Sequence, residues 1–242
     1  MDLKKEASIL AIDTSMDYLS AALKTPQGIF TVEVCAGARH SELLIEAADS
    51  VFRLAGISAE DVDLFACMEG PGSFTGLRIG FAAVKGFALA MGKPMIPCPT
   101  LECIALPFEN SNCLVVPLID AKQKRFFTAL FKNGEKLTEN LDALPELIAE
   151  LISANEEGKP VLLCGNGAEA AKSELMKFAP KTAFICDPEF KRGRAALMLK
   201  YIEKTGKVDN ISLDQNCFSA PVYLRKSDAE ITIEKRILNA GN

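Results

Sequence analysis

The chain has 242 residues, enough for one large core or two modest ones, and its 49% hydrophobic and 24% charged residues, free of low-complexity tracts, are those of a globular protein. A formal charge of −5 excludes a chain that grips nucleic acid through a basic footprint of its own, so any nucleic acid would be held by a partner. Eight cysteines without a C-x-x-C pair, most of them inside apolar runs, together with the lack of a leader or an uncharged apolar span of eighteen residues, predict a reduced, cytosolic protein.

The first six residues are polar and predicted to fray. SILAID (8–13), YLSAALKT (18–25) and IFTVEVCA (29–36) are short apolar runs separated by turn residues, the pattern of an antiparallel meander. From Ala38 to Ala55 the period changes: Leu43, Leu44, Ala47, Ala48, Val51, Leu54 and Ala55 mark a helix that Gly56 ends. Ile45 and Phe52 lie off this stripe and widen it beyond what one contact surface needs. VDLFACM (62–68) is a strand. A Gly-Pro-Gly-Ser turn then leads into a helix from Phe74 to Met91 that is apolar nearly all round, with Arg78 and Lys85 its only charges. With those two charges it is a poor membrane span. Gly76, Gly80, Ala83 and Ala90 form a ridge of small residues that would let another backbone come close. Burial within its own lobe and contact with another protein both fit this patterning.

A proline-rich zone around 94–107 divides the chain into an N-terminal lobe, 1–105, and a smaller C-terminal lobe with a terminal helix and tail, 106–242. The second half repeats the first in outline: CLVVPLIDA ends on Asp120 as SILAID ends on Asp13, and KRFFTALFKNG pairs with it through a turn at Asn133-Gly134. Helices follow at LPELIAELISA (144–154) and AEAAKSELMKFA (168–179), strands at PVLLCGNG (160–167) and TAFICDP (182–188), and a last helix at GRAALMLKYIEKTGK (193–207). SAPVYLRKSD and EITIEKRIL are read as loop and tail.

Catalytic apparatus is thin. Asp13, Glu42 or Glu69, and Asp120 could converge on Mg²⁺ as in a metal-dependent nuclease of RNase H-like fold, but strand-end acids are also ordinary turn formers and caps. The Gly-Pro-Gly-Ser loop could cradle an anion at a helix start, yet it is no Walker loop and misses the dinucleotide spacing by one residue. His40 is the one histidine, expected to be solvated or capping, and leaves neither a His-based metal site nor a triad.

ILAIDTS (9–15), RHSELL (39–44), GPGSFTGLRIG (70–80), GKPMIPCPTL (92–101) and APVYLR (220–225) resemble, in order and spacing, the bacterial TsaB (YeaZ) family. The resemblance implies an α/β, two-lobed actin/Hsp70-like ATPase fold with RNase H-like lobes. It also implies a non-catalytic partner of a TsaD-like transferase, which places threonylcarbamoyl on the adenosine next to the anticodon of tRNAs reading A-starting codons. A TsaE-like ATPase joins the complex, ATP and a metal ion belong to the partner subunits, and this chain carries no cofactor. tRNA is met only through the complex, no membrane is involved, and the free chain can pair with a second copy. The TsaD-like His-x-x-x-His metal pair aligns with Thr100 and Ile104, neither an imidazole. Asp13 is followed by Thr14 and Ser15 rather than by the glycine of a phosphate hairpin, which leaves Asp13, Thr14, Ser15, Gly70, Gly72 and Ser73 as a vestigial nucleotide or anion site at most. The partner face is assigned to the helices His40 to Ala55 and Phe74 to Met91, through Leu43, Ile45, Ala48, Phe52, Phe74, Gly76, Gly80 and Ala83. On that reading Gly80→Arg abolishes TsaD binding and leaves the monomer folded. A small-molecule kinase of the actin-like fold is the further alternative; it would need ATP binding by the isolated chain.

Overall fold

The computed structural model of the protein describes residues 7–187, 193–206 and 220–225. The start expected to fray and the EITIEKRIL stretch lie outside them. The three apolar runs form β1 (Ile9–Asp13), β2 (Tyr18–Thr25) and β3 (Gly28–Cys35), an antiparallel meander. β1 also pairs in parallel with β4 (Leu64–Gly70), which pairs with β5 (Met95–Pro99), giving the order β3-β2-β1-β4-β5. ILAID reads as a continuous apolar run because both faces of β1 are covered. Leu10 and Ile12 join the core beneath α1 (His40–Ala55) and α2 (Phe74–Met91), whereas Ile9 and Ala11 join a second core on the opposite face. α1 stops at Gly56 and α2 at Gly92, each in the left-handed conformation that frees the last carbonyls for a closing bond.

The second sheet is built from β6 (Leu114–Asp120), β7 (Phe126–Thr128), β8 (Phe131–Lys132), β9 (Glu135–Lys136), β10 (Leu141–Ala143), β11 (Val161–Cys164) and β12 (Phe184–Cys186), ordered β10-β7-β6-β11-β12. β8 continues β7 along β6 after a break at Ala129-Leu130, and β9 pairs with β8 across the left-handed Asn133-Gly134 turn. With the broken strands counted as one, this is the order and direction of the first sheet. The outline repeat seen in sequence is thus a repeat of topology, and two RNase H-like sheets in tandem make the two-lobed actin-like architecture. α4 (Pro145–Asn155) and α5 (Ala168–Phe178) cover one face.

The other faces of the two sheets share helices. α3 (Thr100–Ala105) puts Cys103 into the core of the first sheet, and Leu101, Ile104 and Ala105 into that of the second. α6 (Ala195–Thr205), read from sequence with the C-terminal part, packs Ala195, Met198, Leu199 and Ile202 on the first sheet. The boundary drawn at 105/106 therefore passes through a layer that serves both lobes. By length and composition α2 could cross a membrane, but its Leu77, Phe81, Val84 and Ala88 are buried and Phe87 stacks on Phe65 of β4.

Candidate functional site

At the end of β1 the chain turns sharply into β2, and this turn meets the loop between β4 and α2. Asp13 is fully buried. Its Oδ1 accepts from the Ser15 amide at 2.8 Å and the Ser15 hydroxyl at 2.6 Å, and its Oδ2 from the Arg194 amide at 3.1 Å. The Arg194 side chain is buried beside it: burial pushes the guanidinium below its ordinary range, while the Asp13 charge pulls it back up. Thr14 Oγ1 donates to the Gly76 carbonyl at 2.7 Å, and the Ser73 amide donates to the Ser15 carbonyl at 2.8 Å.

The glycines of this loop mark where backbones touch. A Cβ on Gly72 would lie 2.8 Å from the Ser15 carbonyl oxygen, one on Gly76 would strike the Thr14 carbonyl, and one on Gly80 the Thr14 hydroxyl. Ser73 caps α2, its hydroxyl accepting from the Gly76 amide at 3.2 Å. Of the amides at this helix start, that of Ser73 is taken by Ser15 and that of Gly76 by the Ser73 hydroxyl. Asp13, Thr14, Ser15, Gly72 and Ser73 do come together as the sequence reading grouped them, but as a closed knot. Gly70 stands apart: its φ of +120° and the carbonyl of Val222 pressing on it exclude any side chain.

Beside the knot, a cavity of about 440 Å³ lies between the lobes. Ser15, Asp17, Ser73 and Thr75 face it from one side, and Asp120, Lys122, Phe127 and Asn166 from the other. Asp120 accepts from the Lys122 amide at 2.8 Å and its ammonium at 2.9 Å, and this carboxylate raises the Lys122 pKa. Lys122, Gln123 and Lys124 are all left-handed, a conformation that costs about 1 to 2 kcal/mol per residue. Among the described residues no three His, Cys, Asp or Glu side chains gather as metal ligands, so Asp13, Glu42, Glu69 and Asp120 do not converge. His40, expected to be solvated or capping, is instead buried, with Nε2 2.7 Å from the Met16 carbonyl. Thr100 and Ile104 are fully buried in α3.

The helical residues assigned to a partner divide into three groups. Ile45 is exposed, at 57%. Leu43, Phe52 and Ala83 are half-buried against their own core, and Phe74 is half-buried under Tyr223, with ring centroids 4.6 Å apart. Ala48, Gly76 and Gly80 are buried, which corrects the sequence reading: the Gly76–Gly80 ridge faces Thr14 of its own lobe. Gly80→Arg therefore perturbs folding before it perturbs any partner. The small residues that do face outward are Ala82, Gly86 and Ala90, spaced four apart and joined by Leu89 at 60% exposure. Leu54 of α1 is equally exposed. The signal for the outward stripe was the same four-residue spacing, offset by two residues, and of its members the sequence reading had named Ala90. It was masked because small residues line more than one side of α2.

The family profile of TsaD, tRNA N6-adenosine threonylcarbamoyltransferase, matches residues 31–232. The tRNA threonylcarbamoyladenosine biosynthesis protein TsaB of Bacillus subtilis is 27% identical over 74% of this chain and 79% of its own length. The TsaB protein of Buchnera aphidicola subsp. Schizaphis graminum is 31% identical over 72% of this chain and 85% of its own. A crystal structure of a Pseudomonas aeruginosa protein with similarity to peptidase YeaZ superposes with a TM-score of 0.74, at 22% identity, over 90% of this chain and 100% of that one. This last likeness speaks for the fold.

Proposed function

We propose, on the premise that the chain belongs to the tRNA N6-adenosine threonylcarbamoyltransferase family as one of its TsaB (YeaZ) members, that it serves tRNA threonylcarbamoyladenosine biosynthesis as a non-catalytic partner. The partner is a TsaD-like transferase. A TsaE-like ATPase joins the assembly, tRNA reaches this chain only through it, and the free chain can pair with a second copy. The setting is cytoplasmic. ATP and a metal ion act in the partner subunits, with no cofactor on this chain.

The observation that carries the non-catalytic reading is the closed knot at the α2 start. Thr14 and Ser15 are bonded to the backbone of the GPGS loop and the α2 start, and the Asp13 carboxylate is spent on Ser15 and Arg194 within the fold. The partner reading is supported by Ile45 on α1 and the Ala82-Gly86-Leu89-Ala90 stripe on α2, apolar surface that gains from exclusion of water.

The test is binding of the chain to the TsaD-like protein of the same source, measured by calorimetry. Leu89→Arg and Ile45→Arg, both at exposed sites, are expected to weaken it at least tenfold at an unchanged melting temperature. Unchanged affinity in both variants overturns the assignment of this face. Binding of ATP to the isolated chain at micromolar concentration overturns the non-catalytic reading.

A further inference from the structure

The two most distinctive stretches of the chain, GPGSFTG and APVYLR, are far apart in sequence and meet in space. The Val222 amide donates to the Glu69 carbonyl at 2.6 Å, and the Val222 carbonyl packs on Gly70, where a Cβ would block it. Tyr223 lies over Phe74, and its hydroxyl accepts from Arg78 Nε at 3.2 Å. The Arg78 guanidinium sits 3.8 Å above the centre of the Phe74 ring. These contacts hold the first lobe. The next two residues hold the second: Leu224 packs against the core that contains Val115, Ile119 and Phe127, and Arg225 Nη2 donates to the Ala121 carbonyl at 2.9 Å. Val222 to Arg225 all line the cavity between the lobes.

We infer that residues 220–225 are a strap that fixes the angle between the lobes and walls the cavity, so that a two-lobed fold is held in one closed state. Each lobe has a sheet and an outer core of its own, and the inner faces share α3, which leaves that shared layer as the pivot about which the strap sets the angle. The strap grips the two walls with consecutive residue pairs. The glycine of the GPG loop is explained by it: φ at Gly70 and the approach of Val222 both forbid a side chain. The strap inference does not depend on the choice of partner.

The test compares the full chain with two variants, Tyr223→Ala combined with Arg225→Ala, and Val222→Pro. The second removes one backbone donor and leaves the other strap side chains in place. Spin labels carried by unnatural residues at the exposed sites Glu46 and Ser173 report the inter-lobe distance by pulsed dipolar spectroscopy. The unsubstituted chain is expected to give one narrow distance. Opening needs only one grip to fail, so losing the ring contact and hydrogen bond on the first lobe and one hydrogen bond on the second raises the open-to-closed ratio by between about fivefold and about twenty-fivefold, at about fivefold per contact. A second, longer population in either variant, with amide protection of β1 and β4 retained, supports the strap. An unchanged distribution in both overturns it, as does loss of that protection in both, which would make 220–225 part of one indivisible core.

Discussion

Two glycines ten residues apart on α2 set up an internally controlled test of which side of that helix is inside. At Gly76 an added Cβ would lie 3.2 Å from the Thr14 carbonyl carbon and closer still to its oxygen, with Ser73 Cβ at 3.3 Å. The obstacle is backbone anchored by the Thr14 hydroxyl bond to Gly76, so it cannot rotate away. Overpacking of this kind costs roughly 1 to 3 kcal/mol, and breaking the buried hydrogen bond adds about 1 kcal/mol. Replacing glycine in a helix returns about 0.5 to 1 kcal/mol. Gly76→Ala is therefore expected to lose about 2 to 3 kcal/mol. Gly86 is exposed and has nothing within 4 Å of its Cβ position, so Gly86→Ala keeps only the gain, about 0.5 to 1 kcal/mol. Urea unfolding followed by circular dichroism should place the two midpoints roughly 1 M apart for an m near 3 kcal/mol per M. Equal midpoints, or a more stable Gly76→Ala, would refute the inward orientation of the Gly76–Gly80 ridge and return it to the outer surface.

Asp13→Asn should destabilise the fold by about 3 kcal/mol, because it removes the charge facing buried Arg194 and disturbs three hydrogen bonds; a thermal melt unchanged from that of the parent chain would show that Asp13 is not structural. The thiols of Cys67, Cys103 and Cys164 are raised well above their usual range, chiefly by burial, with nearby negative charge adding to the shift at Cys67 and Cys103. Above about pH 8.5 the unfolded chain releases those protons and the folded one keeps them, so stability falls as pH rises, by up to about 1.4 kcal/mol per thiol per pH unit. Urea midpoints from pH 8 to 10 should show this decline, and Cys164→Val should reduce its slope by about a third; a midpoint insensitive to pH over that range contradicts the burial of these thiols. The arginine substitutions at Ile45 and Leu89 are to be read beside Gly86→Ala, which leaves a stripe of small residues and should bind the TsaD-like partner within about threefold of the parent chain.

Most of the fold was legible in the sequence, because local rules and global packing agree in it. The change of period at Ala38 comes two residues before α1 begins, and the glycines at 56, 92 and 206 and the Asn133-Gly134 turn each act within a few residues and lie where their elements end. The short strands β9 and β10 were not legible, since two or three residues carry no period. Nor was the destination of α6, whose amphipathic stripe shows that it covers something and not which sheet. The knot was half legible: Thr14, Ser15 and the GPGS loop could be grouped, but the partner of Asp13 is the Arg194 amide, 181 residues along the chain. The outward face of α2 was misjudged for a physical reason. In a helix apolar nearly all round, spacing identifies several stripes equally well, and only the position of Thr14 selects the buried one.

The return of α6 to the first sheet also governs the order in which the protein can be made. Ile9, Ala11, Ala22, Leu64 and Ala66 face a layer that is completed only by residues 195–202. As the ribosome releases the chain, that side of the N-terminal sheet stays wet until four-fifths of the sequence has emerged. A fragment cut at 105 would carry the same apolar face permanently and is expected to aggregate. The first lobe is thus the first to be synthesised and among the last to be finished, which ties the solubility of the nascent chain to the arrival of its own distant helix.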